Sequence, residues 1–187
     1  MIWPAVKQVR RSGPLREITD AYPTRSAMPS TVWAELINRA QVELTFAAYT
    51  SYFLWLSVPN LRDVLRAKAA SGAQVRFMLG DPGSEVTRRR EMEEAVPLTL
   101  SARVAITLAE LEPLRGLPNF DARYSDGHLA LSFWRFDEEA VVATQLAAKV
   151  GHDSPTYRLK RLETGGILAA YAAHTEALWA SARPVWS

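Results

Sequence analysis

The sequence predicts an α/β protein whose mixed sheet contains βαβ units and flanking helices. Apolar residues alternate with small or polar ones over residues 42–49, and residues 74–79 form a second strand-like segment. A segment with helical periodicity follows each of them, and strands that alternate with helices form parallel βαβ units. After residue 118 the pattern changes to short strand-like segments joined by turn residues, which indicates antiparallel pairing in the same sheet.

The composition limits the chemistry that the chain can carry. It has 187 residues, 22 Lys and Arg, 20 Asp and Glu, three His, no Cys and a formal net charge of +2. The length fits one domain with an arm or linker. The absence of Cys excludes disulfide scaffolds, thiolate metal sites and a cysteine nucleophile. Carboxylate-bound Mg²⁺ or Ca²⁺ is compatible with the composition, but a His-rich site is not, and we predict neither a metal nor a cofactor.

The apolar segments of the sequence are short. None reaches the ~18 apolar residues of a membrane span, and the N-terminus lacks the apolar region of a signal peptide. We therefore predict no membrane contact and a cytoplasmic location.

Residues 1–29 differ in character from the rest of the chain. They hold four prolines, and five basic residues stand against two acidic ones. Periodicity is poor, so we predict an extended arm or linker, with a strand or helical turn over residues 16–22. The arm is either a tether that contacts nucleic acid or a partly ordered connector. Residues 30–187 form the predicted domain.

The domain begins with a helix, a strand and a second helix. Ser30 can cap a helix over residues 31–40, whose apolar residues recur on one side. The alternation over residues 42–49 predicts the first core strand. A helix over residues 60–71 is followed by Gly72, and glycine is favoured just past the end of a helix.

The second βα unit follows directly. The strand over residues 74–79 leads through the turn 80–83 into a helix over residues 85–95, which is entered through Ser84. A further helix is predicted over residues 101–114.

The last part of the chain is predicted as strands followed by one helix. The strand segments are residues 121–124, 129–136, 140–146 and 156–162. Residues 137–139 lie where a hairpin turn would fall. Two glycines at 165–166 then precede an amphipathic helix over residues 167–183.

The turn after the second core strand is the first candidate site. Ligands of α/β proteins bind at the carboxyl ends of parallel strands, and helix N-termini present free N–H groups to anions. Asp81, Ser84 and Arg88 would therefore contact a phosphate or carboxylate. A tight turn followed by a solvated charged face is the alternative, and no nucleotide-binding glycine motif is present.

Two histidines and a basic strand are further candidates. His128 begins a predicted strand next to a turn, where an imidazole can act as a nucleophile or an acid–base group. His152 lies in a polar loop and could meet His128 only through tertiary folding. Arg158 and Lys160 lie on one face of the last predicted strand, which is either a face for anions or an edge protected by charge.

Aromatic residues follow the first core strand near its carboxyl end. Tyr49 and Tyr52 belong to this group and either wall a ligand pocket or pack in the core. The complete set of candidate ligand-binding residues is Asp81, Ser84, Arg88, Tyr49, Tyr52, His152, Arg158 and Lys160.

The order of these segments resembles one half of the phospholipase D superfamily. More closely, it resembles a phospholipase-D-like domain found behind a helix-turn-helix DNA-binding module in actinobacterial regulators. The likeness spans about residues 30–183 and is carried by residues 49–56, 60–62, 75–82, 86–91, 125–137 and 150–155. It implies a domain that binds a small anionic ligand or forms a homodimer, and that acts on a DNA-binding module supplied in cis or in trans.

The catalytic signature of that superfamily is incomplete in this chain. The signature is HxKxxxxD, in which the His is the nucleophile and the Lys binds phosphate. His128 matches the His, but the Lys position is Ala130, the Asp position is Arg135, and Asp137 comes two residues late. Without the Lys the phosphate loses a buried cation, and such a loss usually removes a large part of catalysis.

The sequence is compatible with three alternative functions. The resemblance favours a degenerate ligand-sensing or dimerisation domain linked to transcriptional regulation. The alternative is a phosphodiesterase or nuclease of the phospholipase D type that uses His128 across a homodimer. The third is direct nucleic-acid binding by basic clusters at residues 10–11, 88–90 and 158–161.

Overall fold

The computed structural model describes residues 16–96, 99–146 and 149–186. Within them an eight-stranded mixed sheet has the order β1-β7-β6-β5-β2-β3-β4-β8. The strands are β1 Ile18–Tyr22, β2 Glu43–Ala47, β3 Gln74–Gly80, β4 Phe120–Ser125, β5 Leu131–Phe136, β6 Glu139–Thr144, β7 Thr156–Lys160 and β8 Arg183–Pro184. The predicted α/β class with a mixed sheet and βαβ units is confirmed.

Helices lie between the strands in the predicted order. They are α1 Ser30–Arg39, α2 Phe53–Ser57, α3 Leu61–Ala70, α4 Glu85–Glu94, α5 Leu100–Leu111 and α6 Ile167–Ser181, with 3₁₀ turns at Arg25–Ala27, Glu112–Leu114 and Gly151–Asp153. The short helix α2 is an addition to the predicted set. None of the helices in the described ranges has the length and apolar character needed to cross a membrane.

Strand direction decides which loops meet. The strands β2, β3 and β4 are parallel, so they end at one edge of the sheet, which we call the carboxyl edge. Because β5 is antiparallel to β2, it begins at this edge, and β6 returns to it. The strand β7 is antiparallel to β6, so it starts at the carboxyl edge and ends at the opposite one.

Apolar side chains cover both faces of the sheet. On one face, α1, α2, α3 and α5 pack over a core that includes Phe46, Phe77 and Trp134. The rings of Phe46 and Phe77 stack with centroids 4.4 Å apart. On the other face, α6 packs through Leu168 and Trp179. Complete burial of such a side chain stabilises the fold by about 1.5–3 kcal/mol.

The first described residues belong to the sheet. The segment Ile18–Tyr22, for which the sequence predicts a strand or a helical turn within the arm, forms the edge strand β1 beside β7. Glu17 is fully buried, and its carboxylate accepts hydrogen bonds from the N–H groups of Leu162 and Leu168 at 3.1 and 3.0 Å. A Cβ on Gly166 would lie 2.2 Å from that carboxylate, so glycine is required there. Of the predicted arm, residues 1–15 lie outside the described residues, and residues 25–27 form the first 3₁₀ turn.

Asp137 lies at the end of β5, on the side of the sheet away from the carboxyl edge. The turn between β5 and β6 falls where the sequence predicts it, and Asp137 adopts a positive φ of 53° within it. Its carboxylate accepts hydrogen bonds from the N–H groups of Gln41, Val42 and Glu43 at 2.8–2.9 Å. Burial would raise the pKa of this carboxyl, but the three N–H groups outweigh it and hold the pKa below its usual range.

Candidate functional site

A cleft of about 370 Å³ opens at the carboxyl edge of the sheet. Its lining residues are Tyr49, Val86, Arg89, Arg90, Glu93 and His128. Four of them come from α4 at positions i, i+3, i+4 and i+7, which is the spacing of one helical face. Ser84 begins α4 as predicted, since its hydroxyl accepts a hydrogen bond from the N–H of Thr87 at 3.1 Å. The cap therefore fixes the start of the helix whose face lines the cleft.

Tyr49 and His128, both predicted from the sequence, meet in this cleft. The Tyr49 hydroxyl oxygen lies 3.5 Å from Nδ1 of His128 and accepts a hydrogen bond from the N–H of Leu129 at 3.3 Å. Its own proton is therefore available for Nδ1, an arrangement that leaves Nε2–H as a donor into the cleft. Burial raises the pKa of the Tyr49 hydroxyl, which keeps it neutral and able to donate.

The position of the Tyr49 ring depends on Gly80 at the end of β3. A Cβ at residue 80 would lie 2.6 Å from Cδ1 of Tyr49 and 3.0 Å from Oγ1 of Thr87. Such distances are shorter than real Cβ contacts, so only glycine lets the ring lie against the strand.

The loop before β5 differs from the prediction in one respect. The strand begins at Leu131, so the exposed His128 lies in the loop between β4 and β5 and not at the start of a strand. The reason is local, because the N–H of Leu129 donates to the side chain of Tyr49 and not to a neighbouring strand. The loop turns His128 towards α4.

Arg90 is the most heavily bonded cation of the cleft. Its guanidinium donates to Glu94 at 3.2 Å, to the side chain of Gln145 at 3.2 Å, and to the carbonyls of Leu146 and Lys149. Only 6% of its side chain is exposed, so water has little access to the guanidinium and these protein acceptors are its main partners. Arg90 therefore ties α4 to the connection after β6, and little of its hydrogen-bonding capacity remains for a ligand.

Arg89 has a different environment. It lies in the cleft with 79% of its side chain exposed and forms an ion pair with Glu93 at 3.4 Å. An exposed pair of this kind is worth about 0–1 kcal/mol, so an anionic ligand can compete for the guanidinium at small cost. Arg89 belongs to the basic cluster 88–90, of which only Arg88 was predicted as a ligand-binding residue. The helical spacing of residues 86, 89, 90 and 93 is the sequence signal that distinguishes Arg89 from Arg88.

Asp81 and Ser84 are used within the turn that they form. The Asp81 carboxylate is paired with Arg183 and accepts from the N–H of Gly83 at 2.9 Å. Burial would raise the pKa of Asp81, but these partners outweigh it and lower the pKa. The Ser84 hydroxyl donates to the carbonyl of Asp81 at 2.9 Å. Arg88 is exposed and does not line the cleft; it borders a neighbouring groove that Arg89 also lines.

Tyr52 and His152 lie apart from His128. They border a second surface cleft of about 350 Å³, which also contacts Arg25 and Trp33. His152 is held there through its carbonyl, which accepts a hydrogen bond from the Ser26 hydroxyl at 3.1 Å. The two histidines therefore line different clefts.

Arg158 and Lys160 do not reach the carboxyl edge. Arg158 is paired with Glu139 at 2.8 Å, and Lys160 lies at the far end of β7. Arg135, at the Asp position of the signature, is also near the opposite edge, where it pairs with Glu43 at 2.9 Å. None of these cations can take the place of the missing lysine beside His128.

Of the basic clusters predicted to bind nucleic acid, residues 10–11 lie outside the described residues.

The described ranges hold no group of three or more His, Asp or Glu side chains placed to bind a metal ion.

Comparisons with known proteins agree with the fold. No protein-family model and no curated protein matches the chain. Among solved structures, TrmBL2, described as an archaeal chromatin protein that shows a novel mode of DNA binding, matches 95% of this chain and 57% of its own length at 16% identity and a TM-score of 0.55. The phosphatidylserine synthase of Haemophilus influenzae Rd KW20 matches 88% of this chain and 38% of its own length at 14% identity and a TM-score of 0.50.

A third structure, Nuc from Salmonella typhimurium, described as a phospholipase D family member, is 12% identical over 84% of this chain and 90% of its own length, and its TM-score of 0.46 is too low to support a conclusion. The chain thus spans little more than half of TrmBL2 and less than half of the synthase. At these identities the likeness concerns the fold alone, and the chain has the mixed α/β fold that its sequence predicts.

Proposed function

We propose that this chain is a regulatory domain that binds a small anionic ligand in the cleft beside His128. The observation that carries the proposal is the pair of donors at the cleft: the exposed guanidinium of Arg89 and the imidazole of His128, whose Nδ1 lies beside the buried hydroxyl of Tyr49. The volume of about 370 Å³ lies near the lower end of the range for ligand pockets, about 300–1,000 Å³, which fits a small molecule.

Binding is favoured over phosphodiester hydrolysis by the state of the cations. Hydrolysis requires a preorganised positive charge at the phosphate, beyond a nucleophile. At the lysine position of the signature stands Ala130, and the nearby Arg90 is already bonded to four protein acceptors. Arg89 is exposed and held by one surface ion pair, so it suits reversible binding better than transition-state stabilisation.

The link to DNA is a further part of the proposal. It is supported by the likeness to TrmBL2, whose description is that of a DNA-binding chromatin protein, and by the basic excess of the first 29 residues. We place this chain as a homodimeric domain that acts with a helix-turn-helix module in cis or in trans. Sedimentation equilibrium tests the dimer, and a monomer at all concentrations would contradict this part.

Calorimetric titration tests the ligand. The probes are inorganic phosphate, AMP, glucose 6-phosphate and citrate at constant ionic strength. At least one is expected to bind, and Arg89→Gln is expected to weaken it about 10- to 100-fold, since a hydrogen bond to a charged group contributes about 1.5–3 kcal/mol. Arg66→Gln is the matched control, because Arg66 is also an exposed helical arginine with an acidic partner but lies outside the cleft.

Two outcomes would contradict the proposal. One is the absence of heat with every probe. The other is hydrolysis of bis(p-nitrophenyl) phosphate that disappears in His128→Ala, which would establish the phosphodiesterase alternative instead.

A further inference from the structure

A third, much smaller cavity adjoins the cleft beside His128. Its volume is about 30 Å³, and Tyr49 lines both spaces. Two arginines from distant parts of the chain border it, Arg25 from the turn after β1 and Arg103 from α5. A space of about 10–15 Å³ holds one water, so this cavity accommodates a water or an ion of slightly larger size.

Two hydrogen-bond chains end at serine hydroxyls that line this cavity, those of Ser132 and Ser51. In the first, Arg90 donates to the Gln145 oxygen, and the Gln145 amide nitrogen donates to Oγ of Ser132 at 2.9 Å. In the second, the indole N–H of Trp134 donates to Oγ of Ser51 at 3.1 Å. Each serine oxygen thus already accepts an N–H, and each hydroxyl proton is left to donate.

Both serines are buried and both line the cavity. Ser51 is 2% exposed and Ser132 is 4% exposed. Among the described residues neither hydroxyl donates to a protein acceptor. A buried donor without an acceptor costs about 1–3 kcal/mol, so these two protons call for an acceptor within the cavity.

The charged groups that line the cavity leave an excess of positive charge. Two guanidinium groups, those of Arg25 and Arg103, line it together with one buried carboxylate, Glu94, whose two oxygens contact Arg90 and Arg103. Arg25 stacks on Phe53 with its guanidinium carbon 3.6 Å from the ring centroid, and its hydrogen bond goes to the carbonyl of Gly151. Burial and the neighbouring Arg103 lower the pKa of Arg25 to about 10, partly offset by Tyr52 and Glu94.

We propose that this cavity binds a chloride-sized inorganic anion between Arg25 and Arg103. The anion accepts from the hydroxyls of Ser51 and Ser132 and balances the excess guanidinium charge. A neutral water could accept from the two hydroxyls but would not balance the guanidinium charge. The site is separate from the cleft beside His128 and stands whether or not that cleft binds a ligand. Because Arg25 follows β1, occupancy of the cavity also fastens the N-terminal segment to α5.

The anion is tested by thermal unfolding at constant ionic strength, with chloride replaced stepwise by gluconate, which is too large for the cavity. The melting temperature is expected to rise by about 3–6 °C once chloride exceeds its Kd tenfold. The rise should vanish in Arg25→Gln, persist in part in Arg25→Lys, which keeps the charge, and be unchanged in Arg66→Gln.

Anomalous diffraction from a bromide-soaked crystal of the wild-type protein gives the location independently of any variant. A bromide peak between Arg25 and Arg103 is expected. A water molecule at that place in the presence of bromide, or a melting temperature that rises equally with chloride and gluconate, would overturn the proposal.

Discussion

Replacing Glu94 by Gln tests the buried network that supports the cleft. Glu94 joins α4 to α5, because one carboxylate oxygen contacts Arg90 and the other contacts Arg103. The exposed fractions of the three side chains are 3%, 6% and 9%. The substitution keeps the shape of the side chain, removes the negative charge and turns an amide NH₂ towards a guanidinium, so two buried cations lose their counter-charge.

The size of the effect follows from burial. Removing one partner of a buried ion pair costs about 3–5 kcal/mol, because the remaining charge stays in a region of low dielectric constant. With an m-value of about 2 kcal/mol/M in urea, the unfolding midpoint should fall by about 1.5–2.5 M. The matched control is Glu93→Gln at the preceding position, where the side chain is 40% exposed and pairs with the exposed Arg89 at 3.4 Å and with Arg90 at the longer distance of 3.8 Å. Its cost should stay within about 1 kcal/mol.

Urea unfolding followed by tryptophan fluorescence measures both variants under the same conditions. Equal losses of free energy of unfolding in Glu94→Gln and Glu93→Gln would refute the reasoning, since the two positions differ mainly in burial. A large loss only in Glu94→Gln would agree with a buried network that positions α4.

Three further substitutions have definite expectations. Glu17→Gln should lower the free energy of unfolding by about 1.5–3 kcal/mol at pH 7, and by less below about pH 4.5. Burial raises the pKa of Glu17, but backbone hydrogen bonds outweigh burial and lower it, so the stabilisation by the carboxylate is present above the unfolded-state pKa and is lost as the pH falls. A loss of stability that does not depend on pH would contradict this. Gly80→Ala should displace the Tyr49 ring, cost about 1–3 kcal/mol and weaken ligand binding in calorimetry, and unchanged affinity would show that the ring does not shape the cleft. Asp137→Asn keeps a residue type that tolerates positive φ but removes the negative charge that accepts three N–H groups. The free energy of unfolding in urea should therefore fall by about 1–2 kcal/mol, and an unchanged value would show that the charge does not strengthen these hydrogen bonds.

Local patterns account for the part of the fold that the sequence predicts well. The alternation before Tyr49, the turn that leads into α4 and the hairpin at Asp137 each depend on neighbouring residues, and each prediction is confirmed. The edge strand β1 could not be assigned from its own residues, because the strand β7 with which it pairs lies about 140 positions further along the chain. Its side chains are mostly exposed, so alternation is weak.

The site depends more strongly on tertiary structure. Tyr49 and His128 meet because β2 ends and β5 begins at the same edge, which requires knowledge of the strand order. The same order separates Lys160, which looked equally suitable in sequence, from that edge. Arg25 belongs to no sequence motif, and the packing of its guanidinium against Phe53 brings it to the small cavity that Arg103 also borders.

The three histidines of the chain allow a direct test of the central claim, which is that an anionic ligand binds beside His128. All three are exposed, but only His128 lines the cleft, while His152 and His174 lie elsewhere and serve as internal controls. Imidazole ¹H–¹³C correlation spectra are recorded at fixed pH and ionic strength while inorganic phosphate, AMP, glucose 6-phosphate or citrate is added. The account predicts that, with at least one of these, the His128 signal alone shifts and saturates. Three signals that shift in parallel, or a His128 signal that does not move with any probe, would contradict it.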